Sequence, residues 1–314
     1  MTAGAQYLTR EEIRTLAERS DAMGAAILLH CWAVIFGAIG LFALFPNVVT
    51  FVLAVMLIGS RQLGLAILMH EAAHMALFKN RKLNDFAGEW LCGRPILAEL
   101  QAYRHYHLTH HRFTQTDKDP DLVLSQKFPT TRASMIRKFR RDLTGQTGIK
   151  QLLAQFVMSF RLAGDDEAVE AAQSDAAQAF KARDLWLSFP VFFGIALVIS
   201  LIGDWWWGLA FWVLPYLTWF QFVLRVRNIA EHGATEESDD PFKNVRTTLA
   251  GPVARTFVAP YWVNYHLEHH MVMHVPCWRL PKMHKALIDK GFGDQMNIAP
   301  GYGHALTEAG WRNV

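Results

Sequence analysis

The chain has 314 residues, a net charge of +3 and a hydrophobic fraction of 52%, and its pI is about 8.7. So mild a positive charge argues against a nucleic-acid partner, and the hydrophobic fraction is high for a soluble protein. The three cysteines are scattered and form no CxxC pair. This excludes an iron–sulfur cluster, a zinc knuckle and a disulfide framework.

The first 22 residues form a polar, amphipathic segment. Thr9 is the predicted N-cap of a helix and Glu12 completes a capping box, with Leu8 and Ile13 placed for a hydrophobic staple. We expect this helix to run from Leu8 to about Ser20 and to lay its apolar face on a membrane surface.

Four runs with few or no charges are long enough to cross a membrane. They form two pairs, residues 23–45 with 48–69 and residues 185–202 with 205–224, and a short turn joins the members of each pair. The predicted fold is an all-α integral membrane protein. Its four transmembrane helices form two hairpins, at residues 23–69 and 185–224.

Three residues inside these runs need a separate explanation. Arg61 interrupts the second run, and we expect its long side chain to snorkel toward the interface. His30 has no second ligand three or four residues away, so we interpret it as a hydrogen-bonded structural histidine. Pro215 is predicted to kink the fourth span.

The remaining segments, residues 70–184 and 225–314, are soluble in character and belong with the spans to a single domain. Residues 164–181 are acidic and alanine-rich, which predicts an exposed helix. The turns at Pro46-Asn47 and Gly203-Asp204 carry no lysine or arginine, whereas nearly all basic residues lie on the other side. The positive-inside rule therefore predicts cytoplasmic termini and cytoplasmic long segments, which in a bacterium means the inner membrane.

Nine of the fourteen histidines stand at the spacing of metal ligands on helices. Residues three and four positions apart share a helical face, and neutral imidazole is the commonest metal ligand in proteins. One of the four clusters has an amide in its first position. The candidate ligands are His70, His74, His107, His110, His111, Asn228, His232, His266, His269 and His270.

Nine imidazoles exceed the needs of one ion, so the pattern indicates two. A nitrogen-rich site without thiolates beside a membrane favours O2 activation by iron. His70-Glu71-Ala72-Ala73-His74 also matches the HExxH motif of an intramembrane zinc protease with Glu71 as general base, but this leaves seven clustered histidines unexplained. A carboxylate di-iron bundle needs a second Glu-x-x-His, which we do not find in the spans. A metal transporter usually places its ligands in mid-membrane.

The HxxxH, HxxHH and HxxHH boxes between two pairs of spans resemble the membrane fatty acid desaturase/hydroxylase superfamily. Arg104-His105 before the second box, Asp119-Pro120-Asp121 after it and Asn264-Tyr265 before the third agree with that family, and the resemblance covers about residues 25–290. Asn228 and His232 resemble the amide and the single histidine that complete its two iron sites. The three residues inside the first box resemble the acyl-lipid, sphingolipid and carotenoid-modifying members.

The resemblance implies a cytoplasmic helical cap with a histidine-rich di-metal site that holds two iron ions and uses O2 as co-substrate. The implied reaction is desaturation of the acyl chain of a lipid in the membrane. Hydroxylation of a lipid, a sphingoid base or a carotenoid ring is the alternative. The ligands themselves are then the catalytic residues.

The resemblance also implies an external electron donor, a ferredoxin or a cytochrome b5-like protein with its reductase, since the chain has no haem domain. The basic cluster of Arg137, Lys138, Arg140 and Arg141 is a candidate docking surface for an acidic donor.

Three further histidines are left out of the ligand set. His105 faces away from His107 on a helix, and His284 stands alone. His274 extends the face of His270, but we interpret it as a surface residue. Carboxylates that orient the imidazoles are expected nearby. The candidates are Asp119, Asp121, Glu231 and Glu268.

Overall fold

The computed structural model describes residues 3–161, 185–238 and 240–310. The acidic segment predicted as a helix at residues 164–181 lies outside these ranges. The described residues are mostly helical. Two short strands among them, β1 (Thr247–Thr248) and β2 (Ile298–Ala299), pair in parallel.

The described helices fall into an amino-terminal and a carboxyl-terminal set. The first set is α1 (Arg10–Leu16), α2 (Asp21–Leu44), α3 (Val48–Ala73), α4 (Arg81–Phe86), α5 (Leu100–Phe113), α6 (Leu122–Ser125), α7 (Arg132–Leu143) and α8 (Gln146–Arg161). The second set is α9 (Ser188–Ile202), α10 (Leu214–Leu217), α11 (Trp219–His232), α12 (Pro252–Phe257), α13 (His266–Met271), α14 (Leu280–Asp289) and α15 (Tyr302–Gly310). Two π-helical segments are Ala87–Gly93 and Leu209–Val213.

Four helical stretches of the described residues are long and apolar enough to cross a membrane. They are residues 21–44, 48–73, 185–202 and 209–232. Each coincides with a predicted span. The second and the fourth continue past the predicted limits, to Ala73 and His232, because the histidine-bearing turns extend the same helices.

The fourth stretch is irregular, as predicted from Pro215. That proline lies in the first turn of α10, and Thr218 leaves helical geometry at φ −118° and ψ −86° before α11 begins. A proline lacks the N–H that continues a helix. The break separates the apolar π-helical segment from α11, which carries Asn228 and His232.

Helix α3 is the centre of the molecule. From Ile58 to Ala73 every residue except Ala66 is buried. Helices α2, α5 and α11 and the π-helical segment Ala87–Gly93 all pack against it. Arg104 of α5 fixes its carboxyl-terminal end, because its guanidinium donates to the carbonyls of Ala72 and Ala73 at 2.9 and 3.0 Å.

Helix α1 corrects one expectation and confirms another. The predicted capping box of Thr9 and Glu12 is present. The helix ends at Leu16 and not near Ser20 as predicted, because Ser20 is the N-cap of α2 and accepts the N–H of Met23. Leu8 and Leu16 are only 4% and 8% exposed. The prediction that this apolar face lies on a membrane is therefore wrong, since the face packs on the protein.

The predictions for Arg61 and His30, the two polar residues discussed in the first pair of spans, have different outcomes. Arg61 does not snorkel: it is 4% exposed and its Nη2 donates to the main-chain carbonyl of Thr256. The prediction was wrong because a distant segment of the chain supplies the partner. His30 is hydrogen-bonded as predicted, with Nδ1 3.1 Å from the hydroxyl oxygen of Tyr261.

A Gly88→Ala substitution should destabilise the protein. A Cβ at Gly88 would lie 2.4 Å from Cβ of Ala72, so the π-helical segment would have to move away from α3. Overpacking of this kind costs about 1–3 kcal/mol. Thermal unfolding of the detergent-solubilised protein measures the loss. Gly37→Ala in α2 is the matched control, because a Cβ there meets nothing within 4 Å; equal stability of the two variants would contradict the packing argument.

Candidate metal centre

The nine clustered histidines meet where α3, α5, α11 and α13 converge. They divide into two groups, and within each group one nitrogen of every ring lies within 4.8 Å of the others. We call these the first and the second histidine group. The first consists of His70, His74, His107, His111 and His269, and the second of His110, His232, His266 and His270.

Helical geometry explains why each HxxHH box serves both groups. A helix turns by about 100° per residue, so His107 and His111 lie about 40° apart and join the first group. His110 is turned by about 100° from His111 and reaches the second. In α13 the roles are exchanged: His266 and His270 belong to the second group and His269 to the first. Each pair of adjacent histidines therefore straddles the two groups.

The ring nitrogens converge within each group. In the first, Nε2 of His111 lies 3.0 Å from Nε2 of His107 and 3.0 Å from Nε2 of His269. In the second, Nε2 of His266 lies 2.8 Å from Nε2 of His232 and 3.1 Å from Nε2 of His270. A ring nitrogen has one proton or one lone pair, so it can satisfy only one such neighbour.

Burial makes this convergence costly without a cation. Both ring nitrogens of His70 and His74, and Nδ1 of His232 and His269, are buried without a hydrogen-bond partner among the described residues. Buried polar atoms of this kind cost free energy unless something satisfies them. A metal ion accepts several lone pairs at once, so the donor set fits one ion per group.

The protonation states agree with metal binding. Six of the nine histidines lie outside the apolar helices and have a lowered pKa. Burial is the largest cause and the neighbouring imidazoles add to it, so these rings are neutral at neutral pH. Neutral imidazole is the form that binds metals. These six are His74, His107, His111, His266, His269 and His270.

His110 has the clearest orienting partner. Its Nδ1 lies 2.7 Å from Oδ1 of Asp119, and Asp119 is itself fixed by the N–H groups of Gln115 and Asp121, each at 2.8 Å. Burial alone lowers the pKa of His110, but Asp119, Asp121 and Glu231 outweigh it, and the pKa is raised. A carboxylate at Nδ1 directs Nε2 of His110 into the second group.

The other three candidate carboxylates have different tasks. Asp121 accepts a hydrogen bond from the hydroxyl of Tyr106. Glu231 pairs with Arg227 at 2.7 Å and has its second oxygen 3.6 Å from Nε2 of His266. Glu268 has one oxygen 2.6 Å from Nδ1 of His284 and accepts a hydrogen bond from the hydroxyl of Thr247 with the other. Both contacts hold α13 in place.

Glu71 is held by the main chain. Its Oε2 accepts the N–H of Cys277 at 2.8 Å, and the residue is 2% exposed. This hydrogen bond ties α3 to the turn before α14, and the other carboxylate oxygen, Oε1, lies 3.4 Å from Nδ1 of His70. Both oxygens of this buried carboxylate therefore face protein groups, which does not favour the role of general base in an HExxH protease.

Four residues weighed from the sequence stand outside the two groups. Asn228 lies one helical turn before His232 and lines a neighbouring cavity. His105 is exposed, as expected of a residue that faces away from His107. His284 binds Glu268. His274 is half-buried, and burial followed by the charge of Arg19 lowers its pKa.

A cavity of about 300 Å³ adjoins the histidines. Tyr103, which sequence reasoning missed, forms part of its wall and stacks on His107 with ring centroids 5.2 Å apart. The sequence does contain an indication of this contact, because Tyr103 stands four residues before His107 and therefore on the same face of α5. The surface of the cavity is largely apolar, and its polar lining residues come from several elements, among them Glu99 before α5, Gln151 and Gln155 of α8, and the residues of α11. The lining includes Ala66, Met69, Leu97, Phe220, Asp121, Arg227 and Asn228.

Known proteins resemble this chain over most of its length. The model of the family described as fatty acid desaturase matches residues 46–295. A dihydrorhizobitoxine desaturase of Bradyrhizobium elkanii is 28% identical over 291 residues, which cover 90% of this chain and 80% of that protein. A β-carotene ketolase of a Paracoccus species is 26% identical over 71% of this chain and 74% of its own length.

A third relative is an sn-1 oleoyl-lipid 12-desaturase of a Synechocystis species, 25% identical over 73% of this chain and 66% of its own length. All nine clustered histidines lie inside the segment that the family model matches. The four apolar helices and this match identify a membrane protein and an oxidoreductase: the chain belongs to the fatty acid desaturase family.

Proposed function

We propose that the two histidine groups hold two iron ions and that the protein desaturates the acyl chain of a lipid with O2 and external electrons. The irons would supply the O2 activation that an unactivated C–H bond requires. The overall reaction consumes one O2, two electrons and two protons and releases two waters, so an electron donor is a second substrate. The observation that carries the proposal is two buried imidazole groups beside a largely apolar cavity.

The proposed ligands differ between the ions. Five imidazoles surround the first position and four the second. Asn228 is the proposed further ligand of the second ion, directly or through a water, because it precedes His232 by one turn on α11. An amide binds metal weakly, so its loss should matter less than the loss of a histidine.

The protein's own contribution is to bind, orient and exclude water. Asp119 fixes the ring of His110, and Thr114 lies 3.3 Å from Nδ1 of His270. Burial of the rings keeps bulk water from the site. No side chain is needed as a general acid or base, and the engagement of Glu71 with Cys277 fits this.

The cavity indicates how much of the substrate lies next to the histidines. Its volume of about 300 Å³ is at the lower limit of ligand pockets, about 300–1,000 Å³. It therefore takes a segment of an alkyl chain rather than a whole lipid. Tyr103 and Met69 place that segment beside His107 and His70, because each belongs both to the wall and to a histidine-bearing helix.

Hydroxylation is the second candidate outcome. The proposed substrate of that reaction is a lipid, a sphingoid base or a carotenoid ring, and one relative, a β-carotene ketolase, acts on a carotenoid. The products separate by mass, since desaturation removes two hydrogens whereas hydroxylation adds one oxygen. Lipid profiling of cells that express the protein therefore decides between them.

We propose that both hairpin turns face away from the cytoplasm and that the histidine groups, the long segments and both termini are cytoplasmic. The ring of Phe42, near the first turn, lies 5.9 Å from the rings of Trp206 and Trp207, which follow the second. The two turns therefore share one end of the bundle. The basic residues lie toward the other end, and the positive-inside rule makes that end cytoplasmic.

Single histidine substitutions test the two-ion proposal. His74→Ala in the first group and His232→Ala in the second should each lower bound iron from about two ions to about one and abolish product formation. His105→Ala is the matched control, because His105 is an exposed histidine of α5 outside both groups. It should keep both ions and full activity.

The readouts are metal content of the purified protein, by mass spectrometry, and the lipid profile of expressing cells. Full iron and full activity in His232→Ala would contradict the proposed second site. One zinc and no iron in the unaltered protein would instead support the zinc protease.

Asp119→Asn should weaken the second site while preserving its shape. The amide removes the negative charge that holds the proton on Nδ1 of His110, so Nε2 is no longer fixed as the ligand atom. The expected loss is about tenfold to a hundredfold in iron affinity. Asp117→Asn is the control, since Asp117 is exposed two residues earlier. Equal iron affinity of the two variants would show that Asp119 does not orient His110.

The electron donor is proposed to dock on the basic cluster of α7, where Arg137, Arg140 and Arg141 are exposed. Arg137→Glu with Arg140→Glu should slow turnover with a soluble acidic donor and reduce its dependence on salt, because exposed charges act on association. Arg10→Glu with Lys82→Glu changes the net charge equally at other exposed positions. The measurement is steady-state turnover against ionic strength, and equal rates for both double variants would rule out this docking surface.

A further inference from the structure

A second and larger cleft lies between α2, α3 and residues 252–262. Its volume is about 540 Å³, and it shares no lining residue with the cavity beside the histidines. Ala26, Ile27, Val34 and Leu57 give it an apolar wall. The remaining lining residues carry hydrogen-bonding groups or aromatic rings, and none is acidic. They are His30, Arg61, Arg255, Thr256, Tyr261 and Trp262.

The two arginines bring uncompensated positive charge to this cleft. Within the described ranges 3–161, 185–238 and 240–310, neither Arg61 nor Arg255 forms an ion pair. Arg61 is 4% exposed; its Nη2 donates to the carbonyl of Thr256 and its Nε has no partner. A guanidinium has five N–H donors, and a buried charge without a counter-ion is unfavourable. The cleft therefore favours an anion.

Aromatic contacts, a close glycine approach and strained backbone hold the residues around Arg61 in place. The guanidinium carbon lies 5.6 Å from the ring centroid of Tyr261, whose hydroxyl is 3.1 Å from Nδ1 of His30. Gly64 makes room for this ring, since a Cβ there would lie 2.8 Å from it. Tyr261 and Trp262 both adopt left-handed conformations, with φ of 54° and 57°. Such strain persists only where surrounding contacts enforce it, and it clusters at ligand-binding sites.

The cleft lies between two of the apolar helices, α2 and α3, and residues of α12 line its third side. The carbonyls of Thr256 and Phe257, in the last turn of α12, accept hydrogen bonds from Arg61 and Ser60. Non-helical backbone follows at Val258 and Ala259, and such backbone does not face lipid tails in the hydrocarbon region. Trp262 in the cleft fits an interfacial position. An anionic group held beside two membrane-spanning helices would be the head of an amphiphile.

The two spans that border the cleft also expose apolar side chains outside it. On α2, Leu29 and Phe36 are 69% and 46% exposed, and Val52 of α3 is 48% exposed. Exposed side chains of this kind on a membrane-spanning helix lie against lipid tails. An amphiphile can place its charged head at the arginines while its chains remain among the lipids that surround α2 and α3.

We propose that this cleft binds the phosphate group of an anionic membrane phospholipid. Two arginines without acidic neighbours favour a lipid with a net negative charge over a zwitterionic one. Arginine forms paired, charge-assisted hydrogen bonds with phosphate oxygens. The bound lipid is distinct from the substrate, because the cleft and the histidine cavity have separate linings.

Native mass spectrometry of the purified, full-length protein tests the proposal. Phosphatidylglycerol should bind the unaltered protein more tightly than phosphatidylcholine does. Arg255→Gln should weaken phosphatidylglycerol binding about tenfold, the effect of losing one charge-assisted hydrogen bond. Arg61→Gln should weaken it at least as much. Arg140→Gln is the matched control, since Arg140 is an exposed arginine outside the cleft.

Three results would overturn the proposal. Equal phosphatidylglycerol affinity in Arg255→Gln and the unaltered protein would remove the cleft from lipid binding. Oleate that binds in place of phosphatidylglycerol with the same arginine dependence would make the ligand a carboxylate. Inorganic phosphate that binds as tightly as phosphatidylglycerol would show a site for a free anion. Arg255 is exposed, so its variant decides the question even if Arg61→Gln does not fold.

Discussion

The convergence of nine imidazoles is the constraint on which the rest of the structure depends. Rings that approach one another to about 3 Å through their Nε2 atoms compete for protons and lone pairs, and most of these rings are buried. Such a cluster is favourable only when cations bind the lone pairs of its ring nitrogens. The surrounding elements must therefore fix the positions of the rings. Arg104 fixes the end of α3, Glu71 ties α3 to Cys277, and Asp119 fixes the ring of His110.

Local periodicity predicts much of this arrangement. Spacings of three and four residues follow directly from the helical repeat, so they identify the nine histidines and the helices that carry them. The apolar runs likewise predict where four long helices lie, because length and composition suffice for that. Periodicity alone does not divide the histidines between the two groups. The assignment of His110 to one group and of His107 and His111 to the other depends on how α5 is rotated against α11 and α13.

The failed expectations share a cause, which is contact between residues far apart in the chain. Arg61, expected to snorkel, finds its partner at Thr256, which lies 195 positions away. The apolar face of α1 is buried by the folded chain, and Lys290 of the carboxyl-terminal region pairs with Glu12 at 2.8 Å. A lone charge in an apolar run, or a short amphipathic helix, looks the same in sequence whether a membrane or the protein covers it. Only the tertiary fold distinguishes the two.

Helix α3 links the three sites that the structure brings together. It carries His70 and His74 at one end, Ala66 and Met69 on the wall of the histidine cavity, and Arg61 in the anion-favouring cleft. Because nearly every residue from Ile58 to Ala73 is buried, the helix cannot rotate or slide without disturbing all three. A small shift of α3 would move the ligands of the first histidine group relative to the cavity wall on the same helix. The rigidity that keeps the imidazoles in place therefore also fixes the cavity wall relative to the two histidine groups.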